Sequence, residues 1–188
     1  MNIGVLALQG SVKEHIKMVS SVNKKIGVVL VRTVDELASV DGLIIPGGES
    51  TTLRRLMDTF GLTTPVRERI LAGMPVWGTC AGLILLAAKV EGETPALNVL
   101  DIDVKRNAYG RQTDSFVADG DFAGMYMPMV FIRAPKITRV GEGVEVLAEH
   151  DGVPVAVKQG NILATAFHPE MTRDNRVHKY FISMTEKN

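Results

Sequence analysis

The single cysteine of the chain, Cys80, stands in a segment that favours nucleophilic chemistry. Gly78 and Gly82 flank it at two residues on each side, after one apolar run and before another. This pattern predicts a strand, a sharp turn and a helix, the arrangement that lifts a nucleophile above the edge of a sheet. The amides at the start of that helix would favour the thiolate. A lone cysteine is more often a small buried apolar residue, but the two glycines favour a nucleophile here.

A base for this thiol is predicted in the segment His168-Pro169-Glu170. Side chains two residues apart in an extended segment lie on one face, so His168 and Glu170 point the same way. Pro169 restricts the backbone between them. A carboxylate that binds one imidazole nitrogen leaves the other free to take the thiol proton and to return it to a leaving amine. The sequence does not show which nitrogen faces which partner. Taken alone, this tripeptide is also typical of an ordinary surface turn. Its combination with the Cys80 segment is what favours a catalytic role.

A glycine turn between a predicted strand and a predicted helix could bind the anion that such a reaction forms. Gly47 and Gly48 follow the apolar run 42–45, and Ser50 or Thr51 is predicted to cap the next helix. Consecutive glycines let backbone N–H groups converge on a small anion, as a tetrahedral intermediate on an amide carbon requires. A phosphate-binding turn is the alternative, but the Walker lysine is missing and no dinucleotide glycine fingerprint is present.

The other three histidines have weaker claims to chemistry. His15 and His178 lie in predicted helices and His150 lies beside a predicted turn, so a surface or structural role is expected for each. The nucleophile, the base and the carboxylate could bind a metal in principle. No second His or Cys lies near them in the sequence, however, and no metal is expected.

Composition excludes several classes of function. Of the 188 residues 46% are hydrophobic, and 21 Lys and Arg balance 21 Asp and Glu to give a formal net charge of zero. No basic run offers a surface for nucleic acid. The longest apolar stretches are far shorter than the roughly 20 residues that cross a bilayer, and the N-terminus lacks the charged region of a signal peptide. One cysteine allows no intrachain disulfide, so a cytoplasmic location is expected.

The elements that must position these residues alternate between strand and helix in the first half of the chain. The predicted strands are 2–8, 27–31, 42–45 and 75–78, and the predicted helices are 12–22, 35–38, one that begins at residue 50 or 51 and ends at Gly61, 65–72 and 83–89. This alternation implies a mostly parallel sheet with helices on both faces.

Short strands predominate in the second half. They are predicted at 97–104, 115–118, 129–132, 144–149, 153–158 and 163–167, with hairpin turns at 151–152 and 159–161 and a last helix at 174–184. No linker or repeat divides the chain. The prediction is one domain over residues 1–188 with a three-layer α/β fold: a doubly wound, mostly parallel, flavodoxin-like sheet with an antiparallel extension.

Six segments carry a resemblance to a known family: 4–10 with Glu14 and His15, 43–55, 78–83, 106–115, 131–135 and 167–170. Together they resemble the glutaminase subunits of pyridoxal 5′-phosphate synthase, the PdxT/SNO family of class I, triad-type glutamine amidotransferases. The Gly-Gly-Glu-Ser-Thr stretch of 43–55 and the Arg-Asn-Ala-Tyr-Gly-Arg-Gln stretch of 106–115 distinguish these subunits from their relatives. No motif position departs from the family pattern, and the three-layer fold of class I amidotransferases is implied.

The resemblance implies a role for each matching residue. Cys80 would attack the carboxamide of L-glutamine, release ammonia and form a glutamyl thioester. Water assisted by His168 would then free glutamate, with Glu170 as the third member of the triad. The residues implied to contact the bound glutamine are Gly47, Gly48, Glu49, Arg106, Ile132 and Arg133. Gln9 and Gly10 would help to shape the oxyanion hole, and no cofactor is implied.

The resemblance also implies a partner, the (β/α)₈ barrel subunit of pyridoxal 5′-phosphate synthase. In that family the barrel receives ammonia through a channel and condenses it with a pentose phosphate and a triose phosphate, so pyridoxal phosphate is a product and not a cofactor of this chain. Glutaminase activity is expected to be low until the barrel docks. The alternatives are a glutaminase subunit for another synthase, as in histidine or purine biosynthesis, a γ-glutamyl peptidase, and an inactive regulatory subunit, against which the intact triad argues.

Overall fold

The computed structural model describes residues 1–106 and 115–186, and its elements alternate as the sequence predicts in the first half of the chain. The strands are β1 (Asn2–Leu6), β2 (Gly27–Val31), β3 (Gly42–Ile45), β4 (Val76–Thr79), β5 (Ala87–Val90), β6 (Leu100–Lys105), β7 (Phe116–Phe122), β8 (Met125–Phe131), β9 (Lys136–Val140), β10 (Glu145–His150), β11 (Val153–Gln159) and β12 (Ile162–Thr165). The helices are α1 (Val12–Val22), α2 (Val34–Ala38), α3 (Ser50–Thr59), α4 (Thr63–Leu71), α5 (Ala81–Leu86) and α6 (Arg176–Glu186), with a 3₁₀ turn at Pro169–Met171. None of these helices has both the length and the apolar character needed to cross a membrane.

A seven-stranded sheet lies at the centre of the fold, in the order β10-β11-β12-β4-β3-β1-β2. The five strands from β12 to β2 are parallel, and β11 and β10 continue the sheet antiparallel at one edge. Trp77 of β4 contacts rings of α6, whereas the space beside the next residue, Gly78, is filled by α5. Because successive strand residues point to opposite faces, helices cover both faces of the sheet. The predicted doubly wound fold with an antiparallel extension is confirmed.

The central strands deliver four loops to one edge of this sheet. The chain leaves β1 for β2 on one side and β3 for β4 on the other, so the carboxyl ends of β1 and β3 form a topological switch point. Open α/β sheets bind ligands at such points. The loops 7–11 and 46–49 lie here, Cys80 directly follows β4, and His168 follows β12. Residues far apart in sequence thus meet at one edge.

Two smaller sheets support this edge from the side of β10 and β11. One contains β5, β6 and β9, and the other is the β7–β8 hairpin. Val130 of the hairpin accepts a hydrogen bond from the backbone N–H of His168 at 2.8 Å. The ring of Phe131 packs against that of Phe167 at 6.0 Å. The hairpin therefore fixes the backbone that carries the predicted base.

The structure differs from the sequence prediction after α5. The predicted helix 83–89 ends at Leu86, and Ala87–Val90 is a strand that pairs with β6. The strand Lys136–Val140, which pairs with β6 from the other side, was not predicted. An apolar run of this length fits either helix or strand, and pairing with a distant segment decides between them. The predicted turn at Asp151-Gly152 is confirmed, because both residues have positive φ.

The turn between β4 and α5 leaves no room for side chains at its two glycines. A Cβ on Gly82 would lie 2.2 Å from the carbonyl oxygen of Ile45, and a Cβ on Gly78 would lie 2.5 Å from the carbonyl carbon of Gly82. Between them Cys80 has φ of 48° and ψ of −99°, outside the regions that L-residues prefer. The predicted elbow is present, and its sharpness depends on backbone-to-backbone contact between α5 and β3.

We expect Gly82→Ala to destabilise the protein, because the new methyl group meets backbone that cannot rotate away. The free energy of unfolding should fall by about 2 kcal/mol or more, as in overpacked cores. Gly120→Ala is the matched control, since the nearest atom there is the flexible end of Met129 at 3.3 Å and Gly in a strand is already unfavourable. Urea titrations of both variants provide the measurement. Equal stabilities for the two variants would contradict the close-contact explanation.

Candidate active site

The imidazole of His168 is held by a carboxylate on one nitrogen only. Its Nδ1 lies 2.8 Å from Oε1 of Glu170, and both side chains are almost fully buried. Ser11 donates its hydroxyl to the same oxygen at 2.7 Å. Nε2 of His168 has no hydrogen-bond partner among the described residues. The structure therefore shows what the sequence left open: Nδ1 faces Glu170, and Nε2 is the nitrogen available for chemistry.

Burial and charge together set the protonation of this pair. Burial opposes the charge on His168, but the adjacent Cys80 sulfur and the Glu170 carboxylate outweigh burial and raise the pKa of the imidazole to about 10. Burial also opposes ionisation of Glu170, but the rings of His15 and His168 and the hydroxyl of Ser11 outweigh it and lower the pKa of that carboxyl to about 2. At neutral pH the pair is therefore an imidazolium beside a carboxylate.

Cys80 and His168 lie against the same glycine. A Cβ built on Gly47 would be 2.4 Å from Cε1 of His168 and 3.4 Å from Cβ of Cys80. The backbone N–H of Cys80 donates to the carbonyl of Thr165 at 2.8 Å, which anchors the elbow to the end of β12. Its Sγ is 3.9 Å from the carbonyl oxygen of Ile132, a contact too long to hold the thiol away from the imidazole. Any side chain at Gly47 would separate the predicted nucleophile from the predicted base.

The loops after β1 and β3 also meet without room for side chains. A Cβ on Gly10, whose φ is 100°, would lie 1.9 Å from the carbonyl oxygen of Gly47. A Cβ on Gly48 would lie 2.3 Å from Oε1 of Gln9, and the backbone N–H of Glu49 donates to that oxygen at 3.0 Å. Gln9 and Gly10 therefore fix the shape of the glycine turn by direct contact with it.

The N-terminus of α3 is capped by Glu49, and not by Ser50 or Thr51 as the sequence suggested. The Glu49 carboxylate accepts from the backbone N–H groups of Thr51 at 3.1 Å and Thr52 at 2.7 Å, and from the Thr52 hydroxyl at 2.7 Å. Burial opposes this charge, but the hydrogen bonds from Thr52 and Thr51 outweigh it and lower the pKa of Glu49 to about 2. Glu49 is therefore a fixed anion at the entrance to the glycine turn.

Arg106 is bound to this anion. Its Nη2 lies 3.1 Å from Oε1 of Glu49, and its Nη1 donates to the Thr51 hydroxyl at 3.1 Å and to a carboxylate oxygen of Glu93. Residues 107–114 of the segment 106–115, which carries part of the family resemblance, lie outside the described residues. The ion pair places a positive and a negative charge side by side at the rim of the site.

A cavity of about 550 Å³ opens between these groups. It is lined by Gly10, Ser11, Glu14, Gly47, Gly48, Glu49, Ser50, Cys80, Ile84, Arg106, Ile132, Arg133, His168 and Met171. Of the residues predicted for the site, only Gln9 and Glu170 do not line it, because they lie behind the glycine turn and behind His168. Arg133 is exposed, with φ of 45°, directly after Ile132. Glutamine, with one amide and two charged groups, matches the polarity of this space.

The sequence analysis missed two groups behind the triad. Ser11 donates to Glu170, and His15 lies 3.6 Å from the same carboxylate oxygen. Of the surface or structural role expected for His15 and His178, the surface alternative is wrong, since both are completely buried between α1, β4 and α6. One signal was present: Ser11 follows the predicted oxyanion loop, and His15 comes one helical turn later on the same face. His150 is half-buried, and its ring lies 5.4 Å from that of Phe131, a structural role.

The described residues do not cluster around a metal. Within 1–106 and 115–186 no group of three His, Cys, Asp or Glu side chains has the arrangement of a metal site. His168 and Glu170 are instead linked to each other, and Glu170 also accepts from the Ser11 hydroxyl, an arrangement that orients a base for acyl transfer.

Comparison with known proteins agrees with this geometry. Residues 5–187 match the model of the SNO glutamine amidotransferase family. The chain is 51% identical over 198 residues to the pyridoxal 5′-phosphate synthase subunit PdxT of Dehalococcoides mccartyi, covering 99% of this chain and 98% of that protein. It is 53% identical over 190 residues to the PdxT subunit of Bacillus velezensis, covering 100% of this chain and 96% of that protein.

Solved structures support the same assignment. A crystal structure of a glutamine amidotransferase superposes with a TM-score of 0.91 at 45% identity, covering 98% of both chains. The structure of PurLQS from Thermotoga maritima superposes with a TM-score of 0.70 at 13% identity, covering 97% of both chains, and shows likeness of fold alone. With a match along almost its whole length and about half of its residues identical to those of curated relatives, the chain belongs to the SNO glutamine amidotransferase family.

Proposed function

We propose that this protein hydrolyses L-glutamine to L-glutamate and ammonia as the glutaminase subunit of a pyridoxal 5′-phosphate synthase. The observation that carries the proposal is the placement of Cys80 on a strained elbow beside an imidazole whose far nitrogen is bound by a buried carboxylate. That arrangement is the one used for nucleophilic acyl transfer, in which a base is oriented by a third group. The relatives' name, pyridoxal 5′-phosphate synthase subunit PdxT, gives the pathway.

The first half of the reaction transfers the glutamyl group to sulfur. The proton that Cys80 and His168 share already lies on Nε2 of the imidazolium, so Cys80 Sγ attacks the carboxamide carbon of glutamine without a further proton transfer. The tetrahedral intermediate collapses when the carbon–nitrogen bond breaks and Nε2 gives its proton to the leaving nitrogen, which departs as ammonia. Oε1 of Glu170, 2.8 Å from Nδ1, binds the Nδ1–H in both protonation states of the ring and stabilises the imidazolium whenever it forms. The product of this half is a thioester between Cys80 and the glutamyl carbonyl.

The second half returns the enzyme to its starting state. Water enters the space that ammonia vacated, and Nε2 of His168 takes one of its protons as the oxygen attacks the thioester. Collapse of the second tetrahedral intermediate breaks the carbon–sulfur bond and leaves the proton on Nε2 of His168, as in the starting state. Glutamate leaves, so one water is consumed and one ammonia released in each turnover.

The oxyanion of both intermediates needs N–H donors beside Cys80. In an elbow of this kind the donors are the amide of the residue after the nucleophile and an amide from the loop after a neighbouring strand. Those positions are Ala81 and Gly48 here. Gln9 supports the arrangement because its side chain holds the Glu49 N–H at 3.0 Å and fills the space beside Gly48. Removal of one such donor typically costs about 100-fold or more in kcat.

The charged rim of the cavity suits the amino-acid end of glutamine. Glu49 and Arg106 offer adjacent opposite charges, and Arg133 adds a second guanidinium across the cavity. An α-ammonium group beside Glu49 and an α-carboxylate beside Arg106 and Arg133 would pair each charge with its opposite. The carboxamide would then reach inward past Gly47 and Ile132 to Cys80.

The fate of the ammonia requires a partner. In water near neutral pH ammonia is mostly ammonium, which is not a nucleophile. A synthase subunit that covers the cavity would keep the released ammonia away from bulk water and so prevent its protonation. We propose the (β/α)₈ barrel subunit of pyridoxal 5′-phosphate synthase for this place. A catalytic thiol also needs a reducing environment, and the cytoplasm provides one.

The alternatives weighed on sequence make different demands on the site. An inactive regulatory subunit has no need of a buried carboxylate that binds both the Ser11 hydroxyl and Nδ1 of His168. A γ-glutamyl peptidase needs a cavity open to a longer substrate, and a glutaminase for another synthase would respond to another barrel. The peptidase would be recognised by activity on longer γ-glutamyl substrates. The other glutaminase would be recognised by stimulation with a different barrel subunit.

Removal of the sulfur should abolish the reaction. We expect no glutamate release above background from Cys80→Ala, because the variant lacks the atom that forms the acyl intermediate. Wild type should release glutamate, and the pyridoxal 5′-phosphate synthase barrel subunit should raise its rate, whereas a barrel subunit from histidine biosynthesis should not. A coupled glutamate assay of both proteins, each with and without each barrel, provides the measurement. Activity that persists in Cys80→Ala would overturn the assignment of the nucleophile.

Loss of the exposed guanidinium should weaken glutamine binding. Arg133→Gln removes a charge-assisted hydrogen bond to the α-carboxylate, so KM should rise by about tenfold or more while kcat changes little. Arg139→Gln is the matched control, because that guanidinium is paired with Asp101 and Asp103 away from the cavity. Steady-state kinetics at saturating barrel subunit separate the two constants. The carboxylate-binding role fails if both arginine variants show the same KM as wild type.

The buried carboxylate should make stability depend on acid. The pKa of Glu170 is about 2 in the folded protein against 4.5 for the free side chain, so its contribution is present above about pH 4.5 and lost as the pH falls towards 2. Glu170→Gln should cost on the order of 3 kcal/mol of unfolding free energy at neutral pH and progressively less at about pH 3. Glu145→Gln, on the exposed edge strand β10, is the control. A constant difference between Glu170→Gln and wild type at all pH values would show that the carboxylate does not titrate as described.

A further inference from the structure

A buried polar cluster continues behind the triad, away from the cavity. Nε2 of His15 lies 3.2 Å from the hydroxyl of Thr79 and 3.6 Å from Oε1 of Glu170. Nδ1 of His15 lies 3.1 Å from Nε2 of His178. All three residues beyond Glu170 have zero exposure. The cluster thus links the triad carboxylate on one side to a histidine of α6 on the other, through rings that water cannot reach.

The carboxylate decides which nitrogen of His15 carries the proton. In a neutral imidazole one nitrogen carries the hydrogen and the other a lone pair. Nε2 of His15 lies 3.6 Å from the Glu170 carboxylate, and an anion favours the hydrogen on the nitrogen that faces it. His15 therefore has its proton on Nε2, shared between Thr79 at hydrogen-bond distance and Glu170 at longer range. Its Nδ1 is then an acceptor, so Nε2 of His178 must be the donor in the contact between the two rings.

The far end of the cluster leads independently to the same result. Nδ1 of His178 is buried and has no hydrogen-bond partner among the described residues. If it carried a hydrogen, the interior would contain an unpaired N–H donor, which folded proteins almost never tolerate. His178 therefore has its proton on Nε2. Both ends of the cluster assign one orientation, with every N–H dipole directed towards Glu170.

We propose, on the basis of the proposed glutaminase function, that His15 and His178 are positioning residues that hold the triad carboxylate with a relay of two neutral Nε2–H donors. The relay faces Oε1 of Glu170, the same oxygen that Nδ1 of His168 binds, and so keeps that oxygen aligned with the base. It adds no net charge beside the triad.

The electrostatics of the interior favour the neutral form of both rings. Burial lowers the pKa of His15 against the opposing attraction of Glu170, and the positive charge of His168 lowers it further, with Glu14 acting in the opposite sense. Burial and the neighbouring His15 lower the pKa of His178 to about 3. A second cation at His15 would compete with the His168 imidazolium for Glu170. A neutral donor supports the carboxylate without that competition.

Packing alone would be the simpler role for these rings. His15 and His178 meet the indole of Trp77 edge-on, with centroids 5.4 and 4.7 Å apart, as apolar residues of similar size could do. Packing, however, makes no demand on tautomer and none on hydrogen-bond donation. The two roles therefore differ in the proton positions and in the response to substitutions that keep volume but remove the donor.

The tautomers can be observed in the unaltered protein. With ¹⁵N-labelled histidine, two-bond ¹H–¹⁵N correlation spectra distinguish Nε2–H, Nδ1–H and doubly protonated rings. We expect His15 and His178 to be neutral Nε2–H tautomers at and below neutral pH, while His168 is doubly protonated. An Nδ1–H tautomer or an imidazolium at either position would overturn the relay, and this outcome does not depend on whether the protein is a glutaminase.

Matched variants test the effect on the triad. His15→Gln keeps an N–H donor near the position of Nε2, whereas His15→Met keeps the length and loses the donor. In the glutaminase assay with the barrel subunit, His15→Met should lower kcat about tenfold or more, while KM stays within about twofold of wild type. The reason is the loss of an N–H donor from a charged network. His15→Gln should recover most of the wild-type rate. Equal rates for both variants would support packing alone. His178→Gln and His178→Met repeat the comparison one ring further from the triad, with a smaller difference expected.

Discussion

The contact on which the site depends is the hydrogen bond between Nδ1 of His168 and Oε1 of Glu170. It joins two charged groups 2.8 Å apart in a part of the protein that water does not reach, where such a bond is strong and its loss costly. Because Nδ1 is occupied, only Nε2 can exchange a proton with Cys80. Ser11 shares the same carboxylate oxygen, so the loop after β1 is tied to the loop after β12. The chemistry at the cavity and the arrangement of the loops around it follow from one contact.

The second constraint is the close approach of backbones at the carboxyl edge of the sheet. Gly47 lies between His168 and Cys80, with no room for a methyl group. Gly10 allows the loop after β1 to contact the loop after β3, and Gly82 allows α5 to pack against β3. Each glycine is required by a neighbouring atom rather than by flexibility. The doubly wound topology makes these contacts unavoidable, because four parallel strands deliver their loops to the same edge. Positioning therefore depends on the fold, and not on the triad residues alone.

Much of this arrangement is visible in the sequence because its signals are local. The spacing of two glycines around Cys80, the alternation of His168 and Glu170, and the strand-to-helix pattern each involve a few adjacent residues. What could not be predicted depends on distant contacts. The segment Ala87–Val90 becomes a strand only because β6 pairs with it. Glu49 caps α3 in place of the expected Ser50 or Thr51, because its carboxylate accepts from the N–H groups of the first turn. His15 is buried because α1 packs beside β4 and α6. A polar residue on a helix gives no sign of which face meets the core.

The most direct test of the account is a search for the covalent intermediate on Cys80. Glutamine is mixed with the protein and its barrel partner, the reaction is quenched in acid within the first turnovers, and the intact mass and the peptide masses are measured. We expect a fraction of the protein to be heavier by one glutamyl group, with the addition on the peptide that contains Cys80 and none in Cys80→Ala. Glutamate release at an unchanged rate without any adduct, or an adduct on another residue, would contradict it.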